Sequence, residues 1–148
     1  MTRKRLIRSL AVLSFGFATF ALAADFGTAA EAKAMLEKAV VALKANQASA
    51  LSMFTKGEGG FKDRDLYPFC GGPDGMFTAH PSLVGKSLKD LKDKSGKALG
   101  EDIYKSAQEG KITEVSYMWP RPGTTEPVQK VSFVTKVGNQ VCAVGYYK

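Results

Sequence analysis

Residues 67–97 read YPFCGGPDGMFTAHPSLVGKSLKDLKDKSGK, and the fold follows from how this stretch is parsed. Two short runs, Leu66–Cys70 and Met76–His80, are rich in aromatic and apolar residues, as half-buried strands are. Between them lies Gly71-Gly72-Pro73-Asp74-Gly75. Glycine permits positive φ, proline pre-sets its own φ, and Asp-Gly is a strong turn former, so the two runs form a hairpin with a slightly long loop. Pro81 pushes His80 into an extended conformation and ends the second strand. Ser82–Lys97 is polar and lysine-rich, marked by Gly85, Ser95 and Gly96, with Leu83, Val84, Leu88 and Leu91 spaced to anchor it on apolar surface. A hairpin followed by a long anchored loop is how a small sheet builds a lid over one face.

Upstream, Asp25–Lys56 reads as helix. Thr28-x-x-Glu31 is a capping box, in which hydroxyl and carboxylate satisfy backbone N–H groups that a helix start leaves unpaired. Ala32, Met35, Leu36, Ala39, Val40 and Leu43 recur at three- and four-residue spacing as one buried stripe. Asn46-Gln47 interrupts the register, Leu51, Met53 and Phe54 resume an apolar surface, and Gly57-Glu58-Gly59-Gly60 ends the helix. Downstream, Gly100–Gly110 reads as a short helix with Ile103 and Ala107 inward and Gly110 as its stop. Ile112–Trp119 alternates, with Val115, Tyr117 and Trp119 on one face. Pro120-Arg121-Pro122-Gly123 turns the chain. In Val128–Val137, Val131, Phe133 and Val137 oppose Lys130, Ser132 and Lys136, and Gly138-Asn139 is a two-residue hairpin leading to a last strand at Gln140–Lys148. The order of elements predicts an α+β domain with a five-stranded antiparallel sheet.

The first residues have a different purpose. Arg3, Lys4, Arg5 and Arg8 precede an apolar run, Leu10–Phe20, and a small-x-small site at Ala21-Leu22-Ala23. That pattern is a cleavable secretory signal at 1–23, cut near Ala23, which leaves 24–148 as one domain that is periplasmic or secreted. The apolar run of about eleven residues is short of the roughly twenty that span a bilayer, and no second one follows, so no membrane span is expected in the mature chain. The chain carries 21 Lys and Arg against 14 Asp and Glu, a formal charge of +7. Four basic residues and no acidic ones leave with the signal, so the excess falls to +3. The basic pI is thus mostly a targeting feature, and no basic run with interleaved aromatics argues for nucleic acid. Cys70 and Cys142 are the only cysteines, and in an exported protein an even pair reads as a disulfide. Closing that loop stabilises by about 3–4 kcal/mol in the chain-entropy model.

The series AHPSLVGKSLKDLKDKSGK at 79–97, YMWPRP at 117–122, QKVSFV at 129–134 and the closing VGYY at 144–147 resembles the single Cache domain, the PAS-like extracytoplasmic sensing module of bacterial receptors, over roughly Ala29–Lys148. The resemblance implies a PAS-like sheet in which the strands of Cys70 and Cys142 are neighbours. It places Tyr117, Trp119 and Lys130 on adjacent strands beneath the lid, and puts Lys86 in the family's Gly-Lys pair. It also implies a small organic acid or an amino-acid-like molecule as ligand. No coiled-coil or kinase-like signalling segment accompanies the domain, which departs from the receptor pattern and points to a separate membrane receptor or transporter as partner.

Candidate chemistry is sparse. His80 is the only histidine, so a zinc site lacks ligands once the cysteines pair, and no G-x-S-x-G elbow exists. His80 fixes the start of the lid by bonding to backbone, or contacts a ligand at a strand end where a pocket opens. Asp90-Leu91-Lys92-Asp93-Lys94-Ser95-Gly96 lacks the alternating ligands of a calcium loop, and Asp93 instead fits an Asx turn with Ser95 and Gly96. Lys89, Lys92, Lys94 and Lys97 read as a solvated face. Tyr117 and Trp119 supply apolar walls or plain core, and Lys130 supplies either a counter-charge for a carboxylate or a solvent-facing strand lysine, since alternation sets it opposite Phe133. The expected function is non-catalytic binding of a small anionic metabolite at His80, Lys86, Tyr117, Trp119 and Lys130, with no cofactor and no metal. The rivals are a protein-docking module presenting Trp119 and, more remotely, a small hydrolase or lyase using His80.

Overall fold

The computed structural model describes residues 25–148. The signal-peptide reading of 1–23 lies outside the described residues. Helix α1 spans Ala29–Ala45. Thr28 opens it with the expected capping box: its Oγ1 accepts from the Glu31 N–H while Glu31 Oε2 accepts from the Thr28 N–H. Asn46 both closes α1, donating its N–H to Ala42 O, and opens α2 (Gln47–Lys56), its Oδ1 accepting from the Ser49 N–H. The register break read at Asn46-Gln47 is therefore a shared cap. Gly57 ends α2 in the left-handed region at φ 69°, where glycine carries no Cβ penalty.

The strands are β1 (Pro68–Gly71), β2 (Phe77–Ala79), β3 (Thr113–Pro120), β4 (Pro127–Val137) and β5 (Gln140–Tyr147), with a short helix α3 (Leu99–Ser106) before β3. They form one antiparallel sheet in the order β2-β1-β5-β4-β3. The first hairpin lies at one edge and the last strand in the middle, so β5 receives β1 on one side and β4 on the other. Cys70 and Cys142 are direct register partners across β1 and β5, with Cα atoms 4.1 Å apart, and they form a disulfide.

Both faces of the sheet are covered. On one, α1 and α2 set Leu36, Ala39 and Phe54, all fully buried, against Cys70, Phe133, Cys142 and Val144. Burying a side chain such as Leu36 stabilises by roughly 1.5–3 kcal/mol. On the other, Leu88, Leu99 and Ile103 from the segment between β2 and β3 pack on Tyr67, Phe69, Phe77, Tyr117 and Val134. The lid expected after His80 exists and is stitched down by backbone bonds from Phe77 N to Lys86 O, Gly85 N to Phe77 O and Gly100 N to Leu91 O. Asp93 forms the expected Asx turn, Oδ1 accepting from Ser95 N, Ser95 Oγ and Lys97 N, and its Oδ2 also accepts from Met118 N in β3. Burial pushes the Asp93 carboxyl up, but these donors outweigh it and hold the carboxyl down at about 2.

Two details differ from expectation. Val84 is half exposed and anchors nothing, because the turn that returns Gly85 to Phe77 rotates it outward, whereas Leu88 is fully buried. α3 stops at Ser106 with Ala107 extended, and Gly110 instead serves the tight turn between Gln108 and Lys111.

Candidate functional site

Several buried polar groups, His80, Lys130 and Ser132 among them, converge on the lid face. Alternation along β4 aims Lys130 and Ser132 at it, and β3 sets Tyr117 directly opposite Lys130. Because the lid covers this face, Lys130 is only 1% exposed and is not a solvent-facing strand lysine. Its Nζ donates to Tyr67 Oη at 3.2 Å and lies 4.5 Å from the Tyr67 ring centre and 4.8 Å from that of Tyr147, its register partner on β5. Two aromatic faces and one phenol oxygen are a thin shell for an ammonium, which can donate three hydrogen bonds. Among the described residues no carboxylate is within ion-pairing distance of it. Burial therefore depresses the Lys130 ammonium to about 7, although the more distant Asp65 works in the opposite sense. Asp65 itself is held by Arg121 at 2.8 Å and by the Gly27 N–H at 2.7 Å.

The surrounding groups are fixed. Tyr117 Oη bonds Ser132 Oγ at 2.8 Å, Tyr147 Oη donates to Pro120 O at 2.8 Å, and burial raises both phenols, as it pushes Tyr67 up to about 12. His80 Nδ1 accepts from the Ser82 N–H at 3.0 Å, which supports the role of pinning the start of the lid. Its ring also meets Tyr67 and Phe77 edge-on. Burial first, and then the Lys130 charge, lower it to about 4, so near neutral pH it is an uncharged wall and a weak base.

Lys130, Tyr67, Tyr117 and His80 line a cavity of about 20 Å³ under the lid, closed by Phe69, Leu83, Leu88, Leu91, Leu99 and Ile103. That is space for about one water molecule, so an organic occupant needs the lid to yield. Tyr67, His80, Leu83 and Trp119 separate it from an outer recess of about 360 Å³ between the start of the lid and the Pro120–Thr124 turn. Trp119, partly exposed and edge-on to Tyr117, borders both spaces rather than standing free beside Pro120 and Pro122.

Of the residues singled out from the sequence, His80, Tyr117, Trp119 and Lys130 come together. Lys86 does not: it is exposed, and what it contributes is its carbonyl, which accepts from Phe77 N. Tyr67 and Tyr147 complete the cradle. From the sequence, Tyr147 and Tyr67 gave no signal beyond being aromatics within the strand runs Gln140–Lys148 and Leu66–Cys70.

The comparisons with known proteins agree with this fold. Residues 32–147 match the sequence model of the Cache domain. The chain belongs to the Cache domain family. This Cache domain is similar to part of the methyl-accepting chemotaxis protein McpP of Pseudomonas putida, 34% identical over 59 residues, which are 40% of this chain and 11% of that protein. Among solved structures it resembles a methyl-accepting chemotaxis protein from Vibrio parahaemolyticus at 26% identity and TM-score 0.65, covering 80% of this chain and 86% of that one. It also resembles a Cache chemosensory domain described for carboxylic acid recognition, at 25% identity and TM-score 0.55 over 78% of this chain and 84% of that one. A periplasmic sensor domain of a chemotaxis protein, 24% identical with TM-score 0.60 over 78% and 86% of the two chains, shares the fold. Among the described residues no helix is long and apolar enough to cross a membrane.

Proposed function

We propose that this chain is an exported, non-catalytic sensor domain that binds a small carboxylate beneath the lid, with Lys130 as its counter-ion. The observation that carries this is a lysine buried among aromatic rings with, among the described residues, no carboxylate within ion-pairing distance. Such an ion is costly to bury alone, and an arriving carboxylate offsets that cost. Tyr67 positions the ammonium, Tyr117 and Trp119 wall the site, and His80 and Leu83 close its mouth. The residues lining the cavity include one cation and no Asp or Glu. An α-ammonium group would find no carboxylate there and would meet the Lys130 charge, so a monocarboxylate with a short apolar tail fits better than an amino acid. The carboxylic acid recognition described for the similar Cache chemosensory domain supports the same class. The occupied state would be read by a membrane receptor or transporter.

Thermal-shift and calorimetric titration of residues 24–148 with acetate, propionate and butanoate, against glycine and alanine, tests this. A ligand at a hundred times its Kd stabilises by about 2.7 kcal/mol, and only the carboxylates lacking an amine are expected to do so. No shift with any carboxylate, or an equal response to the amino acids, overturns the assignment.

A further inference from the structure

Lys130 can lie where it does because one position in the neighbouring strand has no side chain. Gly145 sits in the middle of β5, buried, paired with Ser132 of β4 two residues from Lys130. A Cβ built there would fall 2.4 Å from Lys130 Cε and 2.4 Å from Ser132 Oγ, and 3.3 Å from Lys130 Cδ. Real Cβ atoms do not approach that closely, so the lysine stem and the serine hydroxyl occupy the volume a side chain would need. The backbone gives no separate reason for glycine, since Gly145 is not among the residues with positive φ. Glycine inside a strand weakens it and commonly marks close approach by another group. Here the approaching group is the stem that carries the charge across the sheet from β4, past β5, to Tyr67 beside β1.

We propose that Gly145 is the positioning residue of the carboxylate site: the groove it leaves across β5 seats Lys130 with its ammonium at Tyr67, and any side chain there expels the charge from the pocket. The same groove seats Ser132, which holds the Tyr117 hydroxyl, so one missing Cβ sets both the cation and the phenol on the opposite wall. The proposal rests on the carboxylate reading for its effect on binding, while its structural half stands independently.

The test is Gly145→Ala, read by carboxylate titration and by NMR titration of the Lys130 ammonium, which burial leaves near neutral pH in the parent protein. The expected result is a folded variant with Kd for propionate raised at least 100-fold and the Lys130 titration moved up towards the ordinary lysine range. Unchanged Kd with an unmoved titration overturns the proposal, and so does lost binding with an unmoved titration, which would make Gly145 merely structural. Should Gly145→Ala not fold, the double variant Gly145→Ala/Lys130→Ala, made on a Ser132→Ala background so that the hydroxyl does not also clash, decides: recovery of the fold supports the proposal, and failure to recover while Lys130→Ala on the same background folds overturns it. If the parent protein binds no carboxylate, the carboxylate reading fails, and the titration and double variant still judge Gly145.

Discussion

The two faces of the sheet are built for different ends. The face under α1 and α2 is filled by Leu36, Ala39, Phe54, Phe133 and the Cys70–Cys142 bridge, groups that need no partner once they are dry. The face under the lid carries Lys130, Ser132, Tyr67, Tyr117, Tyr147 and His80, each tied to at least one hydrogen-bond partner, around a small cavity. Folding alone completes the first face. It leaves the second with an ammonium that rings and one phenol satisfy only in part. On the proposed reading the helix face serves stability alone, and the lid face also serves the response to a ligand.

Breaking this division should give effects that separate cleanly. The largest is expected from Cys70→Ala/Cys142→Ala: denaturant unfolding should show a loss of about 4 kcal/mol from opening a loop of sequence separation 72, with carboxylate Kd unchanged wherever the variant is folded. Lys130→Met should act the other way. Binding measured by calorimetry falls at least 100-fold, about 2.7 kcal/mol, while the unliganded protein becomes more stable, by about 1 kcal/mol, because an apolar chain replaces a buried lone charge. A Lys130→Met variant that still binds carboxylate would dissolve the contrast between the faces.

The pH dependence sharpens it further. The folded-state Lys130 is depressed to about 7 from an ordinary 10.5, so between those values the unfolded chain holds the extra proton. Stability of the unliganded protein from this group therefore rises with pH across that window and is lost as pH falls through 7. Carboxylate binding needs the charged lysine, so Kd should weaken with a slope approaching tenfold per pH unit above 7, about 1.4 kcal/mol each. Tyr67, Tyr117 and Tyr147, all raised by burial, and His80, depressed by it, face the same ammonium and stay neutral over this range. Calorimetry in buffers of different ionisation enthalpy counts the protons taken up; none at pH 8 would contradict the assignment. The smallest effect belongs to Lys86→Ala, whose exposed side chain lines neither space, with stability and Kd expected within about 0.5 kcal/mol of the parent.

Much of the fold was readable because local patterns and the global structure demand the same thing. Thr28 and Glu31 cap α1, Asn46 interrupts it, Asp-Gly and Gly-Asn turn two hairpins, and alternation survives in the burial of Glu114–Tyr117 of β3, whereas β4 is buried on both faces from Lys130 to Thr135. The site was half readable. Lys130 was narrowed to one face of β4, but its environment depended on whether distant residues cover that face. Lys86 stood out from the other lid lysines by its Gly-Lys motif, yet the turn that docks the lid uses its carbonyl and leaves its charge in water. Tyr67 and Gly145 carried no functional signal, since an aromatic beside a strand and a glycine inside one have several common explanations.

The sequence by itself determined the elements, their order, the paired cysteines and the side of β4 on which the lysine lies, because capping, turn chemistry and alternation act within a few residues. Only the tertiary structure decided that this side is buried, that Tyr67 and Tyr147 close round the ammonium, and that the stem passes over Gly145. Burial and charge environment arise between residues far apart along the chain, where volume exclusion and desolvation are set by the packed sheet and lid rather than by neighbours in sequence.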